Sequence, residues 1–198
     1  MLKYPFTNKM IEKMFRTGQL IARETKHVLF PSPFGRWGIT KELYEFICDT
    51  VTPGRVIVEL GSGVGTKKLA ERYRMVSVEH DLRFLGRYDT EYIFAPITDG
   101  WYDAKMIQRG LPQEYDLLLI DGPPKVIGRA GLVDHFGIFR SDVPVVFDDL
   151  HRPLEQKLVR QIAGQGHYSL DIHRNSFGAR FLGERYFGVL VPLCNGSK

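Results

Sequence analysis

Four groups of residues in this sequence are of types and spacings that can do chemistry. The run Glu59-Leu60-Gly61-Ser62-Gly63-Val64-Gly65-Thr66 sets three glycines at alternate positions just after a carboxylate. Glycines are needed where the backbone turns sharply and a ligand must approach the main chain closely. Glu79 follows near the distance, roughly 20 residues on, at which a ribose-binding carboxylate is expected, and a carboxylate accepts hydrogen bonds from both ribose hydroxyls. Farther along stand Asp121-Gly122-Pro123-Pro124 and Asp148-Asp149-Leu150-His151-Arg152-Pro153. Three converging aspartates repel one another unless a cation or shared protons compensate, and hard oxygen ligands suit Mg²⁺ or Mn²⁺. The plain alternative is that Asp149 caps a helix and Asp148 bonds a loop amide.

These groups need a scaffold that brings them to one place, and the apolar runs supply one. Val56 to Leu60, Met75 to Val78, Tyr92 to Ala95, Leu117 to Ile120 and Val143 to Phe147 are short apolar runs that alternate with helical stretches such as Lys67 to Tyr73. That rhythm predicts parallel strands joined by crossover helices. Tyr168 to His173 and Tyr186 to Leu193 are separated by a polar, Gly-containing segment and predict an antiparallel pair at the sheet edge. The expected class is therefore α/β: a Rossmann-like, doubly wound sheet with a C-terminal antiparallel strand pair. Upstream, Thr40 reads as the N-cap of a helix over Lys41 to Val51 with Leu43, Phe46 and Ile47 on one face. Asn8 to Thr25 has helical apolar spacing, and Phe30 to Gly38 reads as an irregular loop. Residues 1–36 are thus expected to be a helix and loop packed on a domain spanning 37–198.

In such a sheet the carboxyl ends of the strands line the ligand crevice, so the glycine run, Glu79 and all three aspartates should meet there. The dinucleotide fingerprint wants glycine where Thr66 stands, and the phosphate loop wants Gly-Lys-Ser/Thr; this run has neither in register. Glu59 beside the loop would repel a pyrophosphate but suits the cationic methionine part of S-adenosylmethionine, directly or through water. Here the sequence resembles the class I S-adenosylmethionine-dependent methyltransferases, whose first motif is acidic-x-Gly-x-Gly-x-Gly and whose second strand ends in an acidic residue. The resemblance covers about residues 37 to 193. It implies that Glu59, Gly61, Ser62 and Gly63 lie beside the methionine moiety, that Glu79 binds the ribose, that His80 flanks the adenine, and that Ala95, Pro96 and Ile97 form its other wall.

On the acceptor side, Asp121, Asp148 and Asp149 match the metal positions of the metal-dependent O-methyltransferases related to catechol O-methyltransferase. The string from Asp121 through Gly128-Arg129 to Asp148-x-x-His151-Arg152-x-x-Glu155 is similar, more weakly, to glucuronoxylan 4-O-methyltransferase-type sugar enzymes. Together these resemblances imply O-methylation of a sugar, a glycan or another polar hydroxyl, with Asp121, His151 and Arg152 catalytic. A hydroxyl is a poor nucleophile at neutral pH, so His151 is the candidate base, with Asp121 or a metal-lowered hydroxyl pKa as the other route. Arg129, Arg152 and Lys125 would hold an anionic group on the acceptor.

The totals constrain the rest. The chain has 198 residues with 27 basic against 23 acidic side chains, and a pI near 9.0, a mild excess compatible with an anionic partner. A nucleic-acid acceptor is the rival, with Trp37, Trp101 and Tyr102 as stacking aromatics. Against it, Gly122 separates Asp121 from the prolines, Lys125 stands where base N-methylation wants an aromatic, and neither Cys48 nor Cys194 lies where a cysteine nucleophile is needed. A third reading is a catalytically silent binding subunit on the same fold. The two distant cysteines indicate neither a disulfide scaffold nor a zinc site. With no apolar run of about 20 residues, a cytoplasmic protein without membrane contact is expected.

Overall fold

A computed structural model describes residues 38–175 and 185–193. The expected helix over Asn8 to Thr25, most of the loop up to Gly38, Trp37 and Cys194 lie outside the described residues. Thr40 caps helix α1 (Lys41–Thr50) as expected, its Oγ1 accepting a hydrogen bond from the amide of Leu43 at 3.2 Å. Strand β1 (Val56–Leu60) follows, then α2 (Val64–Ala70), β2 (Arg74–Glu79) and β3 (Glu91–Phe94). A short hairpin of β4 (Ile97–Thr98) and β5 (Trp101–Tyr102) comes next, then α3 (Ala104–Gly110) and β6 (Leu117–Ile120). The chain continues through α4 (Leu132–His135), β7 (Val145–Phe147), α5 (Pro153–Ala163), β8 (Tyr168–Asn175) and β9 (Arg185–Pro192).

Seven strands form one sheet in the order β3-β2-β1-β6-β7-β9-β8. The first five are parallel, β9 runs antiparallel to β7, and β8 runs antiparallel to β9. The strands are near-continuous apolar runs because a sheet covered on both faces buries successive side chains on opposite sides. Ile57, Met75, Leu117, Leu119 and Val146 enter a core with Leu43 and Ile47 of α1 and Leu69 of α2. Val58, Leu60, Val76, Val78, Leu118, Ile120 and Val145 enter the opposite core with Ile107 of α3 and Leu158, Val159 and Ile162 of α5. The strand order reverses between β1 and β6, and there the loops after both parallel strands open side by side. Among the described residues no helix is long and apolar enough to cross a membrane.

Candidate functional site

The first half of the site is the turn out of β1. Gly61 has φ +86°, and a Cβ there would press on the backbone of Gly122 at 3.1 Å from its Cα. Only glycine combines that φ with so close an approach between two loops. Gly63, by contrast, is extended, and a Cβ built on it would meet nothing within 4 Å. The space beside it is open, as a ligand cradle requires.

Below the turn runs a chain of hydrogen bonds. The Gly63 amide donates to Thr66 Oγ1 at 2.8 Å, and Thr66 Oγ1 donates to Glu59 Oε1 at 2.6 Å. Ser77 Oγ donates to the same oxygen at 2.5 Å. Glu59 is 2% exposed, and burial raises its pKa to about 7 despite those two hydrogen bonds. In the free protein Glu59 therefore braces the turn from beneath.

Glu79, at the end of β2, is also buried. Its Oε2 accepts from the Ser62 amide at 3.2 Å and from Ser62 Oγ at 2.8 Å. Its Oε1 accepts from the amides of His80 and Asp81 at 2.7 and 2.9 Å. The carboxylate is thus fixed against the glycine turn. Beyond β3, Ala95 lies fully in the core, whereas Pro96 and Ile97 stay partly exposed.

The acceptor half collects the three aspartates, whose ligand-capable oxygens lie within 4.8 Å of one another. Asp148 is 1% exposed, and its Oδ1 accepts from the Asp149 amide at 2.6 Å. This is the loop-amide bond of the plain alternative. The cap is different: α5 begins with Pro153 and has no side-chain cap. Asp149 instead sits at φ +68° and turns its carboxylate to arginines.

Those arginines decide the electrostatics. Arg129, only 4% exposed, reaches Asp149 Oδ2 at 3.1 Å and lies 3.6 Å from Asp121 Oδ1. It also donates to the backbone carbonyls of Asp121 and Asp148. Arg152 pairs with Asp149 Oδ2 at 2.9 Å and faces Glu155 at 3.6 Å. Arg185, the first residue of β9, lies 3.2 Å from Asp149 Oδ1 and 3.4 Å from Asp148 Oδ2. The expectation that Arg129 holds an anionic acceptor is corrected, because its guanidinium is buried among carboxylates and carbonyls. Lys125 is exposed. His151 is exposed, with Nδ1 3.9 Å from Asp149 Oδ1, and the partial burial of its ring lowers its pKa.

Arg185 escaped sequence reasoning, since nothing local marks a residue that reaches the site from the antiparallel strand beside β7. The aromatics are a second correction. Trp101 and Tyr102 are each 1% exposed and cannot stack on bases. Asp99 and Gly100, both at positive φ, turn β4 into β5 and fold that pair inward against Gly131 and His80. The Asp-Gly pair between strand-like residues was the available signal.

No protein-family model matches the chain, and no curated protein matches its sequence. Solved structures do match it. The O-methyltransferase from Bacillus cereus in complex with SAH superposes with a TM-score of 0.58 at 14% identity, over 94% of this chain and 92% of that one. Precorrin-6y C5,15-methyltransferase from Geobacter metallireducens GS-15 matches with a TM-score of 0.55 at 14% identity, covering 79% and 92%. An rRNA methylase from Streptococcus thermophilus matches with a TM-score of 0.55 at 10% identity, covering 77% and 95%. The fold of this chain is the class I S-adenosylmethionine-dependent methyltransferase fold.

Proposed function

We propose that this chain is an S-adenosylmethionine-dependent methyltransferase acting on a hydroxyl of a sugar, glycan or other polar acceptor. The observation that carries the cofactor reading is the open space beside Gly63 next to a carboxylate, Glu79, held at the glycine turn. A nucleoside with a cationic tail fits that cradle: the ribose diol would exchange for the Ser62 contacts of Glu79, and the tail would lie along Gly61 to Gly63 above Glu59. When bound, S-adenosylmethionine supplies an electrophilic methyl whose sulfur leaves as a neutral thioether. Ala95, Pro96 and Ile97 follow β3 at the same end of the sheet, on the side where the base would lie, with His80 opposite.

The protein's own part is to place and deprotonate the acceptor at the ends of β6 and β7. Partial burial of its ring lowers the His151 pKa and favours the neutral imidazole, whose nitrogen lone pair takes the hydroxyl proton as the oxygen attacks carbon. Asp149 stands behind that ring at 3.9 Å and favours the imidazolium that forms. Burial and the neighbouring Asp148 push the Asp121 pKa well up, which suits a group that holds or shares a proton at the acceptor. Arg152 orients Asp149.

The donor set does not fit a divalent cation as folded. Asp149 is paired through both oxygens, Asp148 is turned to its neighbour's amide and to Arg185, and three guanidiniums already offset the aspartates. A dication would enter beside fixed positive charges.

Calorimetry with S-adenosylmethionine, its demethylated product and NAD tests the cofactor reading. Binding of the first two and not of NAD is expected, with Glu79→Ala weakening both by about 1 to 3 kcal/mol through the lost acceptor. NAD binding without a response to S-adenosylmethionine overturns it. Methyl-labelled S-adenosylmethionine offered with fractionated cell extract then shows whether label enters glycan, small molecules, nucleic acid or protein.

A further inference from the structure

Tyr102 ends the β4–β5 hairpin with its ring 1% exposed and its hydroxyl lacking any hydrogen-bond partner among the described residues. That hydroxyl reaches the junction of the two loops that define the crevice. A Cβ placed on Gly122 would collide with Tyr102 Oη before anything else, and would then stand 2.9 Å from Gly61 Cα and Leu60 O. The phenol thus lies against the Gly61–Gly122 seam, and the edge of its ring packs on His80 at 5.9 Å between centroids. Asp103, the residue after it, is tied to the loop following β3 by its amide, which donates to Pro96 O at 2.8 Å.

A buried hydroxyl without a partner is costly, and most such groups in folded proteins are satisfied. The nearby acids do not satisfy this one. Glu79 is occupied by Ser62 and by the amides of His80 and Asp81, and Glu59 by Thr66 and Ser77. We propose that Tyr102 is a binding residue for the nucleoside, donating a hydrogen bond from Oη to a ribose oxygen held on its other side by Glu79.

The inference rests on the reading that the crevice takes S-adenosylmethionine. Three features select the ribose. Burial and the carboxylates of Glu79, Asp121 and Glu59 keep the phenol protonated, so it acts as a donor. The Glu79 carboxylate beside it disfavours an anionic group such as the methionine carboxylate at that spot. The ring-edge contact with His80, adjacent to Glu79, sets the tyrosine beside the strand end where the ribose would lie. A ribose there would satisfy two groups together, donating to Glu79 and accepting from Tyr102.

Tyr102→Phe tests this with two probes, S-adenosylhomocysteine and 5′-methylthioadenosine, which share the ribose while only the first has the amino-acid tail. Titration of wild type and variant should show a loss of about tenfold in affinity for both probes. The free variant should unfold at the same temperature as wild type or higher, because the substitution removes an unpartnered buried hydroxyl. Unchanged affinity for both probes overturns the proposal, and so does a loss for S-adenosylhomocysteine alone, which would place the contact on the tail. An unfolding temperature lowered without loss of affinity assigns Tyr102 to the fold and also overturns it. If wild type binds neither probe, the cofactor reading fails and this inference falls with it; wild-type binding with an indifferent variant sinks the inference alone.

Discussion

Glu59 and Gly63 show how differently two residues of one motif act. Glu59 is sealed under the turn, and its raised pKa carries a sign that can be checked. The folded state releases this proton near pH 7, whereas the unfolded chain releases it near 4.5, the ordinary glutamate value. Stability is therefore full below about pH 4.5, falls as pH rises toward 7, and levels off above, a loss of about 3 kcal/mol. Glu59→Gln keeps an oxygen for Thr66 and Ser77 and removes the charge. Urea unfolding should show the variant more stable than wild type at pH 8 by an amount of that order, with the gap closing by pH 4. At Gly63 the prediction is opposite in kind. The residue is extended and a Cβ finds open space, so Gly63→Val should unfold within about 1 kcal/mol of wild type, since it introduces neither clash nor backbone strain. Its branched side chain would fill the cradle, and S-adenosylhomocysteine titration should show no binding.

At the scale of elements, the site depends on how closely the loops after β1 and β6 approach. Gly61 and Gly122 face each other across that seam, and the Tyr102 hydroxyl fills the remaining corner. Gly122→Ala would drive a methyl into the hydroxyl and into two backbone atoms of the β1 turn. Backbone cannot rotate away as a side chain can, so the cost should reach about 3 kcal/mol, the upper end for overpacking. Denaturant unfolding measures it, and a cost below 1 kcal/mol would mean that the two turns separate easily. The hairpin β4–β5 matters for the same reason, since its Asp99-Gly100 turn carries Tyr102 into the seam.

Across the whole molecule, the acidic cluster is held by long-range ion pairs. Arg129 comes from the loop after β6, Arg152 from the entry to α5, and Arg185 from β9, which inserts antiparallel between β7 and β8. The C-terminal strand pair is thereby locked to the carboxyl ends of the parallel strands. Because these guanidiniums compensate the aspartates, methyl transfer from labelled S-adenosylmethionine should survive EDTA with less than twofold change. Arg185→Ala should lower stability by about 2 kcal/mol, less than a fully buried pair costs, since its side chain keeps 27% exposure. Activity abolished by EDTA and restored by Mg²⁺ or Mn²⁺ would show that a cation displaces the arginines.

Much of the fold was legible in the chain because its signals are local. A parallel strand covered on both faces must be a run of apolar residues, and Val56 to Leu60 and Leu117 to Ile120 match the observed strands residue for residue. The other runs differ by only one or two residues at their ends, where fraying leaves no hydrophobic mark. The glycine turn, the acid closing β2 and the meeting of Asp121, Asp148 and Asp149 follow from the same rule, that strand ends in a doubly wound sheet converge. Tertiary structure alone decided what those carboxylates pair with. A guanidinium 36 residues away reaches Asp149 because β9 returns beside β7, and no local pattern encodes such a return. It also decided that Glu59 braces the turn, through Ser77 on the neighbouring strand, and that Trp101 and Tyr102 turn inward. Burial of a side chain is set by what packs over it, and here that cover comes from distant segments, including Gly131 and the β1–β6 seam.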